Sequence, residues 1–369
     1  MEPKYDFCIV GAGLSGSTIA RLAAEDGKKV LVIEKRDHLA GNTFDEIDPM
    51  TGIRVSRYGA HIFHTNDQEV WDFVNRFGSW TPWYHRVIAE CDGKLVPVPA
   101  NIETVNTLLD LNLQNEQEMD SWLSSERVTY DTPSNSEEVA LSRVGPTLYE
   151  KLFKHYTFKQ WAKYPSELEP SVLERIPVRT SFDARYFSDR FQALPTNGYI
   201  SIVESMLDHP NIAIKLNCPW TPELPIVWKQ LVFTGPIDMY FKDKGLAPLE
   251  YRSIEFKKEH HVTSGFYQKN SVVNYSDPTN EYTRCVEYKH FLNQKNPWTV
   301  TVKEKTTDVG EPYYPVPTEA NRALYQKYKE LADKAEGVHF VGRLASYKYF
   351  NMDQAIRNAM DYYRKSLLV

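Results

Sequence analysis

No feature narrows the fold of this chain more than its start, where the run Tyr5 to Val10 passes directly into Gly11-Ala12-Gly13-Leu14-Ser15-Gly16. A continuous strand of this kind is typical of a parallel sheet covered on both faces. Ile19, Ala20, Leu22 and Ala23 then recur at helical spacing, and Lys29 to Glu34 reads as a second strand ending in an acid. The pattern is a β-α-β unit with a glycine-rich first turn. Gly11, Gly13 and Gly16 permit a tight turn and close approach of backbone to a pyrophosphate, whose charge sits at the helix N-terminus. Glu34, eighteen positions beyond Gly16, is placed to accept from both hydroxyls of an adenosine ribose and to repel a 2′-phosphate. NAD and FAD both satisfy this much.

Two further segments favour FAD. Lys35-Arg36 is followed by Gly41-Asn42, a turn that can run beside the same cofactor. Near the C-terminus, Val338 to Val341 reads as a strand closed by Gly342-Arg343, with a helix from Met352 to Leu368. A late strand-glycine-helix returning to the first sheet offers a second helix N-terminus, suited to the electron-rich pyrimidine edge of a flavin. An NAD dehydrogenase has no need of it.

Between these ends the pattern changes twice. Residues 101–126 carry six acids and no Lys or Arg, with Leu108, Leu109, Leu111, Met119, Trp122 and Leu123 spaced for amphipathic helices. Helical character continues from Glu137 to about Lys163, and prolines at 165 and 170 mark a loop. Beyond Ser181 strands and turns alternate, including Leu231 to Gly235, Ser271 to Tyr275 and Trp298 to Val302, before a polar helix from Glu319 to Ala335. The expected architecture is α/β, a Rossmann-like FAD-binding domain with a helical insert and an antiparallel β-sheet insert. The boundaries expected are 1–78, 200–240 and 320–369 for the dinucleotide domain, 101–165 for the helical insert, and 79–100, 166–199 and 241–319 for the β-sheet substrate domain. A chain of 369 residues is long enough for two or three such units.

Charge limits the partners. Lys and Arg total 43 against 49 Asp and Glu, a net charge of -6, which argues against general binding to nucleic acid or an anionic membrane. Cys8, Cys91, Cys218 and Cys285 are scattered without C-x-x-C spacing, so neither a zinc site nor a disulfide framework is expected. The apolar run at the N-terminus is too short for a signal peptide or a membrane span, and the cytoplasm is the expected compartment. His61 and His64 could share a metal by spacing, but no third ligand is evident and no metal is expected; a loop lying against a flat cofactor ring suits Gly59 to Thr65 better. Arg175, Arg284 and Arg343 each have aromatic neighbours, and an arginine fork suits a diphosphate by donating two hydrogen bonds at once.

Taken together, GAGLSG, GAHIFHT, HYTFKQWAKYPSEL, ERIPVR, YTRCVEYKHF, EPYYPVP and GRLASYKYFNMDQAI, in this order, closely resemble the UDP-galactopyranose mutases, flavoenzymes of a prokaryotic type. The resemblance implies interconversion of UDP-galactopyranose and UDP-galactofuranose by attack of reduced flavin N5 on the anomeric carbon, UDP departure, ring opening and reclosure, with no net redox change. It places Phe153, Tyr156 and Trp161 at the uridine, and Arg175 and Arg284 at the diphosphate. Tyr186, Tyr314 and Tyr349 would add phosphate hydrogen bonds, and His64 would lie by the isoalloxazine. Arg175, Arg284 and His64 form the expected catalytic set. The expected cofactor set is Gly11, Gly13, Ser15, Gly16, Glu34, Lys35, Gly41, Asn42, His61, Gly342, Arg343 and Met352. FAD active when reduced, an external reductant such as NAD(P)H and a homodimer are further implications. Ala40, His85 and Asn351 depart from residues common in that family, which bears on sugar selectivity, including tolerance of a 2-acetamido group as in UDP-N-acetylgalactosamine. The competing readings are an FAD-dependent oxidoreductase of the amine-oxidase kind and a catalytically idle nucleotide-sugar binder.

Overall fold

A computed structural model describes residues 4–368. Tyr5–Val10 and Val30–Ile33 pair in parallel, and every residue of the second strand is buried. The full sheet runs Ile212–Lys215, Val30–Ile33, Tyr5–Val10, Trp228–Phe233, Val338–Phe340, all in parallel. The late strand therefore does return to the first sheet, next to a mid-chain strand that the sequence reading also anticipates. The helix Leu14–Glu25 covers one face, burying Ile19, Ala20, Ala23 and Ala24 against Ile9, Val32, Val232 and Ala359. No side chain caps its N-terminus at Gly13, so its first N–H groups stay available to an anion.

A second sheet of seven strands runs Tyr314–Pro315, Tyr251–Val262, Trp298–Thr307, Arg284–Glu287, Val272–Tyr275, Val87–Cys91, Lys94–Val98. It is antiparallel except where Val272–Tyr275 meets Val87–Cys91 in parallel, so the expected antiparallel insert is in fact mixed. That pairing joins strands far apart in sequence, which no hairpin signal announces. Helices Ile102–Leu109, Glu116–Glu126 and Ser136–Leu148 share one core with the sheet, in which Val105, Met119, Leu123, Val144 and Leu148 are buried with Val96. Asn101, Asn115 and Asn135 cap these helices through their side chains. The helical run expected to reach Lys163 is broken: it kinks at Gly145-Pro146, widens through Tyr149–Lys154 and resumes as His155–Trp161. The expected Met352–Leu368 helix likewise widens after Tyr362. Helices Gln68–Asn75 and Gly198–Leu207 and a three-stranded sheet of Phe63–Thr65, Phe191–Pro195 and Trp80–Pro82 complete the links between the layers. Among the described residues no helix is long and apolar enough to cross a membrane.

Candidate active site

The first half of the site is the glycine turn. A Cβ on Gly16 would lie 2.0 Å from the Gly11 carbonyl oxygen, so only glycine lets the helix start so close to the strand. Gly342, with φ +99°, sits where a Cβ would come 2.8 Å from Ser15 Oγ, which brings the C-terminal strand against the same turn. Gly41, which lies beside Gly13, follows Ala40, and Ala40 holds a left-handed conformation at φ 70°. A non-glycine residue there costs about 1 kcal/mol, offset here by the bond from Ala40 N–H to the Ala12 carbonyl at 3.0 Å. Glu34 is 6% exposed and accepts from the N–H groups of Ala12 at 2.9 Å and Arg36 at 3.0 Å. Its carboxylate is thereby fixed beside the turn with lone pairs remaining for a ribose. Lys35 turns outward to Glu311 at 2.7 Å, and Arg36 donates to Asn42 Oδ1 at 2.9 Å while lying 4.2 Å over the Tyr58 ring. A glycine cradle, an uncapped helix start and a buried acid fit an adenine dinucleotide.

The second half is built on the mixed sheet, which carries Arg284 and Tyr314, and on the segments packed beside it. Arg175, just past the short helix Ser171–Glu174, lies 4.2 Å over the ring of Tyr349. Tyr349 stacks on Tyr314 at 5.4 Å and 15°. Arg343 lies 5.2 Å over Tyr349 and 5.8 Å over Tyr314. Trp161, 2% exposed, supports both tyrosines at 6.1 and 6.2 Å. Arg284 opens a strand and donates through Nε to Glu304 Oε2 at 2.7 Å, its cross-strand partner, which is 2% exposed. Among the described residues neither Arg175 nor Arg343 pairs with a carboxylate, so the cluster holds more guanidinium than acid charge. Burial raises the Tyr349 hydroxyl pKa, but the charges of Arg175, Arg343 and Arg284 outweigh it and the net shift is downward. Tyr156 and Tyr186 shift upward, because burial dominates there over the charge of Arg284 and, at Tyr186, of Arg175 as well. A pocket is lined by Phe153, Tyr156, Trp161, Arg175, Tyr186 and Asn274 among others, an apolar and aromatic lining with a few convergent polar groups, as small-ligand sites have.

Of the residues expected at the substrate, Phe153, Tyr156, Trp161, Arg175 and Tyr186 line this pocket, and Trp161 and Arg175 join it to Tyr314 and Tyr349. His61 and His64 part company. His61 bonds through Nδ1 to the Gly59 carbonyl at 2.8 Å; burial and the Arg343 charge push it down to about 4. His64 is held by Asp189 at 3.0 Å and stacks on Phe187 at 3.7 Å. Met352 starts the late helix and packs with Phe63 and Ile356. Glu304, Asp189 and Glu311 are absent from the sequence reading. Glu304 had a signal: it continues the alternating face of Val300 and Val302, where an acid demands a buried partner.

His85 also lies here, 5% exposed and packed edge-on to Tyr186. The indole of Trp83 donates to its Nδ1 at 3.3 Å, which leaves the ring proton on Nε2. Burial, with Arg284 and His64 nearby, pushes its pKa down to about 3. The folded value lies below the unfolded one, so the stabilisation is complete above about pH 6.5 and is lost as pH falls toward the folded value. At pH 5 the loss from this residue is about 2 kcal/mol. Urea unfolding at pH 7 and 5 should show His85→Asn losing less than the parent on acidification; equal losses would remove His85 from the acid response.

Residues 151–349 match the family described as UDP-galactopyranose mutase, and residues 9–77 match the NAD(P)-binding Rossmann-like domain. A probable UDP-galactopyranose mutase of Klebsiella pneumoniae is 38% identical over 360 residues, 95% of this chain and 92% of that one. The chain belongs to the UDP-galactopyranose mutase family. Within that family this enzyme is also 38% identical to a dTDP-fucopyranose mutase of Escherichia coli, with 96% of each chain covered. A crystal structure of reduced UDP-galactopyranose mutase shares the fold, with a TM-score of 0.76 over 99% of this chain and 96% of that one at 16% identity.

Proposed function

We propose that this mutase-family enzyme interconverts the pyranose and furanose forms of UDP-galactose with FAD in the glycine cradle. The observation that carries this reading is the convergence of Arg175 and Arg343 on the stacked pair Tyr314 and Tyr349, with Arg284, bonded to Glu304, adding its charge at the same two hydroxyls. Such a cluster suits a diphosphate, and it repels the ammonium group that an amine oxidase must admit. We assign the dinucleotide to the pieces 1–78, 200–240 and 320–369, with Gly11, Gly13, Ser15, Gly16 and Glu34 at the adenosine diphosphate end and Gly342 and Arg343 toward the ring system. Reduced FAD, when bound, supplies the nucleophile for the anomeric carbon.

The protein's own residues handle the leaving group. Arg175 and Arg284 hold the diphosphate and neutralise the charge that grows on it as the glycosidic bond breaks. Tyr349, its pKa lowered by the same guanidiniums, donates a hydrogen bond to a phosphate oxygen, as do Tyr314 and Tyr186. Tyr156, Phe153 and the buried edge of Trp161 place the pyrimidine, and so hold the expelled nucleotide for return after the sugar recloses through its other hydroxyl. Packing of Arg175 on Tyr349 covers the diphosphate side and excludes water that would capture the freed sugar. A homodimer in a reducing cytoplasm, recharged by NAD(P)H, completes the proposal.

The dTDP-fucopyranose mutase relative supports a second reading of the substrate, since it is as similar as the Klebsiella protein. The two substrates differ in the sugar C6 hydroxyl, the pyrimidine methyl and the ribose 2′-hydroxyl. Anaerobic turnover of UDP-galactofuranose, dTDP-fucofuranose and UDP-N-acetylgalactofuranosamine by dithionite-reduced protein tests the proposal. The expected result is the highest kcat/KM with UDP-galactofuranose. No isomer from any of them, despite bound flavin and bound UDP, would leave a nucleotide-sugar binder instead.

A further inference from the structure

We propose that Lys159 is a positioning residue whose ammonium ties the helix bearing Tyr156 and Trp161 to the loop leading into Arg284, and so sets the width of the nucleotide pocket between them. The proposal rests on the reading of that pocket as the nucleotide site. Lys159 Nζ donates to four main-chain carbonyls of one loop: Tyr275 at 2.6 Å, Asp277 at 2.8 Å, Asn280 at 3.1 Å and Tyr282 at 3.1 Å. Among the described residues the Asp277 carboxylate makes no ion pair with Lys159; its Oδ1 accepts from the N–H and hydroxyl of Thr279. Four carbonyl oxygens around one ammonium with three N–H groups form a compact cation cage, which a planar guanidinium does not fit. The main-chain carbonyl of the same residue accepts from the Thr306 hydroxyl, on the strand that pairs Glu304 with Arg284. Residue 159 is therefore fixed from both its ends to the sheet that carries the diphosphate arginine.

These ties join two of the segments that line the pocket. Tyr156, Thr157, Gln160 and Trp161 line it from the helix, and Asn274 and Ser276 line it from the segment that Lys159 holds. Ser276 stands between two of the carbonyls that Lys159 holds. The helix His155–Trp161 has seven residues, enters through the wide turn Tyr149–Lys154 and ends at Ala162 in a left-handed conformation. A helix that short has almost no orientation of its own, and tertiary ties must set it. Tyr282, the last carbonyl held, is two residues from Arg284. One side chain thus registers the pyrimidine-placing helix against the diphosphate-binding arginine.

The test uses the flavin-loaded enzyme with Lys159→Met, which keeps the stem and removes the charge, and Lys159→Ala. Three quantities are read: the Kd for UDP by calorimetry, hydrogen exchange over residues 274–283 without nucleotide, and the melting temperature. Lys159→Met should keep its flavin, bind UDP at least about tenfold more weakly and exchange faster over that loop. For turnover the loss should fall on KM more than on kcat. Propylammonium should restore UDP affinity to Lys159→Ala, whereas tetramethylammonium, which carries no N–H, should not. Unchanged UDP affinity overturns the proposal, whether or not the loop exchanges faster. Failure of both variants to fold also overturns it, since the role then belongs to the fold and not to the pocket. Should the parent enzyme bind no UDP, the nucleotide reading falls, and the exchange data alone decide whether the tie exists.

Discussion

Arg284→Ala is expected to lower kcat/KM by about a thousandfold or more while flavin stays bound, the scale seen when a charge-stabilising donor is removed from an active site. The magnitude needs two terms to be separated. Arg284 meets the proposed diphosphate, but it is also the partner of Glu304, which is 2% exposed. Deleting the guanidinium strands a buried carboxylate, and breaking a buried pair from one side costs about 3–5 kcal/mol of stability. The Ala variant alone would therefore confound lost chemistry with a loosened sheet. Arg284→Lys keeps a charge near Glu304 but lacks the fork, so stability should recover while turnover stays about a hundredfold down. Arg284→Ala with Glu304→Gln removes both charges and should melt closer to the parent, with no recovery of turnover. Anaerobic steady-state rates and thermal melts on these variants check the separation. Near-normal rates in Arg284→Ala would take the residue out of the site.

How legible the molecule was in its sequence follows the range of each interaction. Tyr5–Val10 and the helix after Gly13 were legible because strand burial, glycine and helical spacing are local signals that agree. The return of Val338–Phe340 to the same sheet was legible from its glycine and following helix, although 328 residues separate Val338 from Val10. Ile212–Lys215 escaped notice because it is a short, half-exposed edge strand whose place depends only on pairing with Val30–Ile33. The break between Leu148 and His155 was invisible because Gly145-Pro146 reads as a local blemish, while packing fixes the widened turn behind it. In the site, Arg175 and Arg284 stood out as anion candidates by their chemistry and aromatic neighbours, but their roles, and those of Tyr314 and Tyr349, came through family resemblance. No spacing rule places residues from four separate segments around one pair of stacked rings. Glu304 and Lys159 were missed because their partners, a cross-strand arginine and four main-chain carbonyls, exist only once the sheet has formed.

Gly16→Ala is expected to yield protein without flavin, or no soluble protein. The added methyl carbon would sit 2.0 Å from the carbonyl oxygen of Gly11 and 3.2 Å from its carbonyl carbon. Both are main-chain atoms, so no side-chain rotation relieves the overlap; either the strand end or the helix start must move. That movement opens the turn at which the N–H groups of the helix meet a pyrophosphate, so cofactor affinity falls with the geometry. Gly27→Ala, just past the other end of the same helix, is the matched control. Gly27 holds φ +76°, but a Cβ there meets nothing within 4 Å. It incurs only the left-handed penalty of about 1 kcal/mol. The flavin-to-protein ratio and the melting temperature of the two variants decide the matter. Gly27→Ala should keep full flavin and melt a few degrees lower, and Gly16→Ala should lose the flavin. Both substitutions add the same methyl group, so a Gly16→Ala protein that retained flavin like its control would show that closeness of helix to strand is not what binds the pyrophosphate.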